Sequence, residues 1–260
     1  MKRHHVTFSC EGETLVGTLD TADGEVGLLI VSGGSEPRSG AFGGHASLAS
    51  RIAARGFPVF RFDRRGVGDS SGTDAGFRQS QQDIRAALAC FRGEFPAVRR
   101  IVAYGNCDGA AALMLGEGFG VDALALANPW TFDDAQSQDA PPDAIKARYL
   151  QKLRNPREVA RLLTGKISIA GVAGGVRQII AGKSTTSQLG QALADGISAF
   201  HGDVQIMLAG RDRTAQAFHT NYPIGKEVVT VREGADHGFS EPSDHEWLED
   251  QIVSMMKSLA

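Results

Sequence analysis

Gly105-Asn106-Cys107-Asp108-Gly109 sits between an apolar run, Arg100–Tyr104, and an alanine-rich run that continues from Ala110 to Leu115. A nucleophile held on a sharp strand-to-helix turn needs small neighbours two positions either side, because larger ones collide with strand and helix. Glycine fills both places. A helix N-terminus favours a thiolate over a thiol, so the pattern suits a reactive sulfur. The alternative is that Cys107 is a small buried hydrophobe. Neither Cys10, beside a hairpin turn, nor Cys90, on a helix face, has such a setting, and both read as structural.

A sulfur nucleophile needs a base and an orienting acid. His237, in Gly234–Ser240, follows the last apolar run, Glu227–Val231, and Asp212, in Ala209–Arg213, follows the preceding one, Val204–Ala209. Both therefore fall at the C-terminal edge of an open sheet, where ligands and catalytic groups collect. Asp236 is the rival acid, but adjacent side chains seldom face each other usefully. Asp212 could also be a simple helix N-cap. The other histidines, His4, His5, His45, His201, His219 and His245, lack this placement and are expected in solvent or on helix faces. Two donors for a developing oxyanion are expected from the Asp108 N–H and from Gly34, in the Gly33-Gly34-Ser35 turn.

The elements that must position these groups alternate. Val6–Ser9 and Thr14–Thr18 suggest an opening hairpin, and Val26–Val31 a strand buried on both faces. Helical spacing follows over Ala46–Arg55, then a strand over Pro58–Phe62, a helix over Gln81–Phe91, and strands over Arg100–Tyr104 and Val121–Ala127. After a break come Val204–Ala209, a helix over Thr214–Thr220, Glu227–Val231 and a closing helix over Asp244–Leu259. Such alternation predicts an α/β fold: a mostly parallel, twisted sheet with helices on both faces. The rhythm fails between Trp130 and Phe200, with Pro141-Pro142, helical patterns over Ala144–Leu153 and Arg157–Leu163, and an ambiguous Ile169–Ile180. Residues 130–200 are read as a lid inserted into a core formed by 1–129 and 201–260. A helix pair with long loops is the alternative.

Composition narrows the chemistry. The chain has 260 residues, 27 basic against 30 acidic side chains, and a net charge of −3. Without a basic excess, nucleic acid is not an expected partner. Three cysteines with no CxxC pair argue against a disulfide framework or a cysteine zinc site, and no metal or cofactor is expected. Neither HExxH nor GxxxxGK[ST] occurs. The basic N-terminus lacks an apolar run behind it, and no 18-residue apolar window exists. The chain reads as cytoplasmic, with no integral membrane segment.

Arg61–Gly72, RFDRRGVGDSSG, resembles the D-x-R-G-x-G-x-S loop of α/β-hydrolases. With VSGG, GNCDG, LAGRD and GADHGFS it gives five motifs in that superfamily's order over nearly the whole chain. The order Cys107, Asp212, His237 is likewise that of its nucleophile, acid and base. More closely, the elbow, Gly33–Arg38 and Asn128-Pro129-Trp130 resemble the hydrolase 1 group associated with exosortase A systems. Those bacterial proteins are linked to exopolysaccharide genes, and their elbow also carries cysteine. Dienelactone hydrolases share the cysteine-for-serine exchange, so the resemblance to them is of mechanism.

The resemblance implies an acyl hydrolase acting on activated esters, thioesters or lactones through an acyl-cysteine. A small-molecule substrate would meet Ser35, Arg38 and Trp130. Arg38 could bind a carboxylate or phosphate, or form an internal salt bridge. Acyl transfer by the same triad, and ligand binding without catalysis, are the competing readings.

Overall fold

The computed structural model describes residues 2–133, 187–223, 225 and 227–260, with the side chains of 219 and 220 excepted. Eight strands form one sheet in the order β1-β2-β4-β3-β5-β6-β7-β8. β1 (Arg3–Cys10) and β2 (Glu13–Asp20) make the opening hairpin, with Val6 opposite Gly17. β2 also runs antiparallel to β4 (Val59–Phe62). From β4 onward the pairing is parallel through β3 (Val26–Val31), β5 (Arg100–Asn106), β6 (Ala123–Ala127), β7 (Asp203–Ala209) and β8 (Val228–Arg232).

The apolar runs are explained by what covers them. In β3 every residue is buried, and alternate side chains enter opposite cores. Leu29 and Val31 pack with Phe60, Ile84, Phe91 and Leu193 on one face; Leu28 and Ile30 pack with Leu48, Ile52, Tyr104 and Ile252 on the other. Each fully buried Leu or Ile contributes about 1.5–3 kcal/mol of transfer free energy. The first face carries α2 (Gln81–Glu94), α3 (Asp108–Leu115), α4 (Gln188–Ala199) and α5 (Arg213–Asn221). The second carries α1 (Gly44–Ala54) and α6 (Pro242–Leu259).

The boundary expected at residue 200 does not follow the packing. In α4, Leu189, Leu193 and Ile197 are buried in the first core, and a Cβ on Gly196 would lie 2.1 Å from the Met114 carbonyl of α3. Residues 188–199 are therefore a sheet-covering helix. Trp130, Thr131, Phe132 and Asp133 also belong with the core: Phe132 and Thr131 are buried, and the Asp133 carboxylate caps the start of α4 through the Gln188 and Leu189 N–H groups. The helical patterns over 144–153 and 157–163, and the ambiguous 169–180, lie outside the described residues.

Candidate active site

β5 ends at Asn106, and Cys107 makes the turn into α3 with φ 57° and ψ −123°. A non-glycine residue with positive φ is strained by about 1–3 kcal/mol and persists only where its surroundings over-determine it. Here they do. Cys107 donates its N–H to Ala127 O at 3.0 Å and accepts at its own carbonyl from Ala111 N and Trp130 N. A Cβ on Gly105 would lie 2.7 Å from Ala110 N, and one on Gly109 would lie 2.5 Å from Val31 O. The two glycines of the motif are required by crowding, and the sulfur is left half-buried at the C-terminal edge of the sheet.

His237 reaches Cys107 from the loop after β8. Its ring is hydrogen-bonded to the Cys107 side chain, and its Nδ1 lies 2.9 Å from Asp212 Oδ2. That leaves Nε2 as the nitrogen facing sulfur. The hydrogen bond to Asp212, then the one to Cys107, raise the His237 pKa from 6.5 to about 10. Asp212 follows β7 and caps α5, accepting the Ala215 N–H at 3.1 Å with the same Oδ2 that meets His237. The carboxylate that caps α5 is also the one that meets the His237 ring. Asp236 is spent on its own loop: it accepts from Ser240 N and Ser240 Oγ, which lower its pKa.

Two asparagines that the sequence reading left without a role lock the histidine loop. Asn106 Nδ2 and Asn128 Nδ2 both donate to the His237 carbonyl at 3.1 Å. Asn128 Nδ2 also meets Asn106 Oδ1, and Asn128 Oδ1 accepts the Ala209 N–H at 2.8 Å. Asn128 is fully buried with φ 43°, a conformation asparagine tolerates better than most residues. It ties β6, β7, the elbow and the histidine loop together.

The turn after β3 lies against the elbow. A Cβ on Gly33 would sit 2.5 Å from Asn106 O. The Gly34 N–H, expected to face an oxyanion, donates to Asp108 Oδ1, while Gly34 O accepts from Arg64 Nη2. Burial raises the Asp108 pKa against the opposing pull of Arg64 and the Gly34 N–H. Arg38 does not join the group. Its Nη1 is paired with Asp63 and with Asp69 at 2.8 Å, and its Nε donates to Thr18 Oγ1. Asp63 also accepts the Arg38 and Asp69 N–H groups, and Gly68 has no room for a side chain beside it. The RFDRRGVGDSSG loop is thus a brace that pins the Gly33–Arg38 turn. Ser35 is exposed and donates to Asp74 at 2.8 Å; Trp130 packs on Phe132 with ring centroids 4.7 Å apart.

A cleft of about 520 Å³ opens beside His237, lined by Glu36, Phe42, His45, Leu48, Tyr104 and Leu248 among others. His45 lies on the face of α1, half-buried: it contacts Ser32 Oγ, stacks edge-on to Tyr104, and burial lowers its pKa to about 4. Burial raises the Cys10 thiol to about 11, helped by Asp83, and raises Cys90 to about 11, helped by Glu94. Among the described residues no cluster of His, Cys, Asp or Glu could hold a metal, and no helix is long and apolar enough to cross a membrane.

No curated protein matches the chain. Its fold is shared with many solved structures. The alpha/beta hydrolase GrgF from Penicillium sp. sh18 superposes with a TM-score of 0.65 at 18% identity, covering 99% of both chains. An esterase from Pyrococcus furiosus gives 0.61 at 15% identity over 99% of this chain and 91% of the other. A putative hydrolase from Agrobacterium vitis S4 gives 0.59 at 16% identity over 98% of each. The model of the alpha/beta hydrolase family matches residues 28–251, and the chain belongs to that family.

Proposed function

We propose that the protein hydrolyses an activated acyl bond (an ester, thioester or lactone) through a covalent acyl-Cys107 intermediate. The observation that carries this reading is the continuous chain Cys107–His237–Asp212, with the sulfur on a strained turn and the ring's far nitrogen 2.9 Å from a largely shielded carboxylate. Cys107 sulfur attacks the carbonyl carbon, and the carbonyl π pair moves to oxygen. As the tetrahedral species collapses, the bond to the leaving group breaks and His237 Nε2 gives its proton to that group. Water then attacks the thioester while His237 takes a proton, and the C–S bond breaks to release the acid. Asp212 keeps Nδ1–H oriented and stabilises the imidazolium.

The leaving group departs on the His237 side, into the cleft that His237 lines. Its apolar walls at Phe42, Leu48 and Leu248 suit an aryl or alkyl moiety. The motif resemblance to exosortase A system-associated hydrolases supports a natural substrate in bacterial exopolysaccharide or protein-sorting metabolism, and a cytoplasmic site of action goes with that reading. Ser35 and Trp130 flank the elbow as substrate contacts in this reading; Arg38, with its ion pairs, is a brace.

Intact-mass spectrometry after exposure to p-nitrophenyl acetate, an acyl thioester and a lactone tests the proposal. One acyl group on Cys107 is expected, absent in Cys107→Ala, and long-lived in His237→Gln if any forms. Iodoacetamide near neutral pH should label Cys107 while Cys10 and Cys90, both with raised pKa, stay unlabelled. Equal labelling of the three thiols in the folded protein, or acyl groups elsewhere only, defeats the reading.

A further inference from the structure

In the resting protein a negative charge already occupies the place where the reaction would build one. Asp108 Oδ1 accepts the Gly34 N–H and lies 3.0 Å from where a Gly33 Cβ would be, in the notch between elbow and turn. An acyl oxygen held by the Gly34 and Asp108 amides would need that notch.

Behind the notch sits Arg64, only 3% exposed. Its Nη2 donates to Gly34 O, but Nε and Nη1 are buried with no hydrogen-bond partner among the described residues. A half-satisfied buried guanidinium is costly. Two carboxylates are near enough to feel its charge, Asp108 and Asp74, yet neither pairs with it. Asp74 is held by Ser35 Oγ and the Gly76 N–H. Asp108 is the one restrained by a single loop amide and by its own helix start.

We propose that Asp108 is a gate on the oxyanion site: closed when its carboxylate takes the Gly34 N–H, open when that carboxylate moves onto the unpartnered Nε or Nη1 of Arg64. In the closed state Nε and Nη1 of the guanidinium lack partners among the described residues, and the acyl oxygen lacks the Gly34 donor. In the open state the ion pair satisfies Arg64, and the vacated Gly34 N–H is taken by the acyl oxygen. Substrate entry and the swing therefore favour each other, a population shift in which the closed fraction lowers the observed acylation rate. This inference rests on the acyl-Cys107 reading.

The full-length protein separates the two ideas with two reagents. Iodoacetamide reacts at a saturated carbon and builds no oxyanion, so its rate reports sulfur and imidazole. The p-nitrophenolate burst from p-nitrophenyl acetate reports acylation, which needs the oxyanion donors. Asp108→Ala keeps both amides and removes the plug; acylation should rise about tenfold or more, with alkylation changed less than about twofold. Asp108→Asn keeps an oxygen on Gly34 N–H but offers Arg64 no charge, and acylation should fall below wild type. Arg64→Gln should slow acylation in the wild-type background and have no such effect alongside Asp108→Ala, because there is no carboxylate left to receive.

Opposite signs for Asp108→Ala and Asp108→Asn are the signature, since a merely structural role lowers both. Acyl-Cys107 forming no faster in Asp108→Ala overturns the gate and leaves the function standing. An undiminished Arg64→Gln effect in the Asp108→Ala background also overturns it. Absence of acyl-Cys107 from wild type and Asp108→Ala alike defeats the function itself. Should Arg64→Gln not fold, the two Asp108 variants decide the matter alone.

Discussion

Asn128→Ala tests whether the histidine loop is held by the asparagine clamp. The change removes three hydrogen bonds: Nδ2 to Asn106 Oδ1 and to His237 O, each 3.1 Å, and Ala209 N to Oδ1 at 2.8 Å. Their costs differ. Ala209 is fully buried, so its N–H is left without a partner at about 1–3 kcal/mol. His237 O keeps its bond from Asn106 Nδ2, so that loss is small. Alanine must also adopt φ 43°, at about 1–2 kcal/mol. Together these predict a destabilisation of about 4 kcal/mol, read as a lowered urea midpoint at unchanged slope. Asn128→Gly escapes the backbone strain and should be more stable than Asn128→Ala by about 1 kcal/mol. In the fraction that remains folded, the loosened loop moves His237 relative to sulfur, and acylation should fall by about tenfold or more, since misplacement of even 1 Å is that costly. A stability loss under about 1 kcal/mol, or a glycine variant no better than alanine, refutes the clamp.

His237, with its pKa raised to about 10 chiefly by Asp212, binds its proton more tightly folded than unfolded. Its stabilisation is fully present below pH 6.5 and is lost as pH rises through about 10. The ring is 43% exposed, so screening leaves on the order of 1 kcal/mol; urea denaturation from pH 6 to 10 should show that extra decline in wild type and not in Asp212→Asn, which still caps α5, and parallel curves would refute the coupling. Gly109→Ala should cost about 2–3 kcal/mol because its Cβ would meet Val31 O at 2.5 Å, whereas Gly93→Ala, in open space on α2, should gain about 0.5–1 kcal/mol; thermal melts of the pair must move in opposite directions.

How much was legible in the sequence depends on how local each cause is. VGLLIV at 26–31 reads as a strand because both faces of β3 are covered, and its bounds are those observed. α1 begins at Gly44 rather than at the expected Ala46, since its cap is Gly43 with φ 76° and no side chain to signal it. α6 begins at Pro242 rather than Asp244; proline at the first helical position was a signal available in the sequence. Cys107, Asp212 and His237 could be proposed together because each follows a strand at the same sheet edge. Asn128, Asp108 as a side chain, and Arg64 could not: their partners lie on other loops, 109, 74 and 30 residues away. Arg38 stood open between a substrate anion and an internal salt bridge because Asp63, its partner, is 25 residues on.

The braces around the elbow share a property that ties the site to its chemistry. The Asn106 and Asn128 amides hold the carbonyl of His237, Arg64 holds the carbonyl of Gly34, and Ala127 and Trp130 hold the main chain of Cys107. Each fixes a backbone atom, so the loops are set without engaging the Cys107 sulfur or the His237 ring. Asp108 departs from that division: its side chain takes the Gly34 amide that an acyl oxygen would need. An ionised carboxylate only accepts, so Asp108 can hold this turn only by occupying an N–H, whereas Arg64, a donor, holds the carbonyl of the same residue. Under the proposed gate that N–H is the one an acyl oxygen would take, so Asp108 would have to move before acylation.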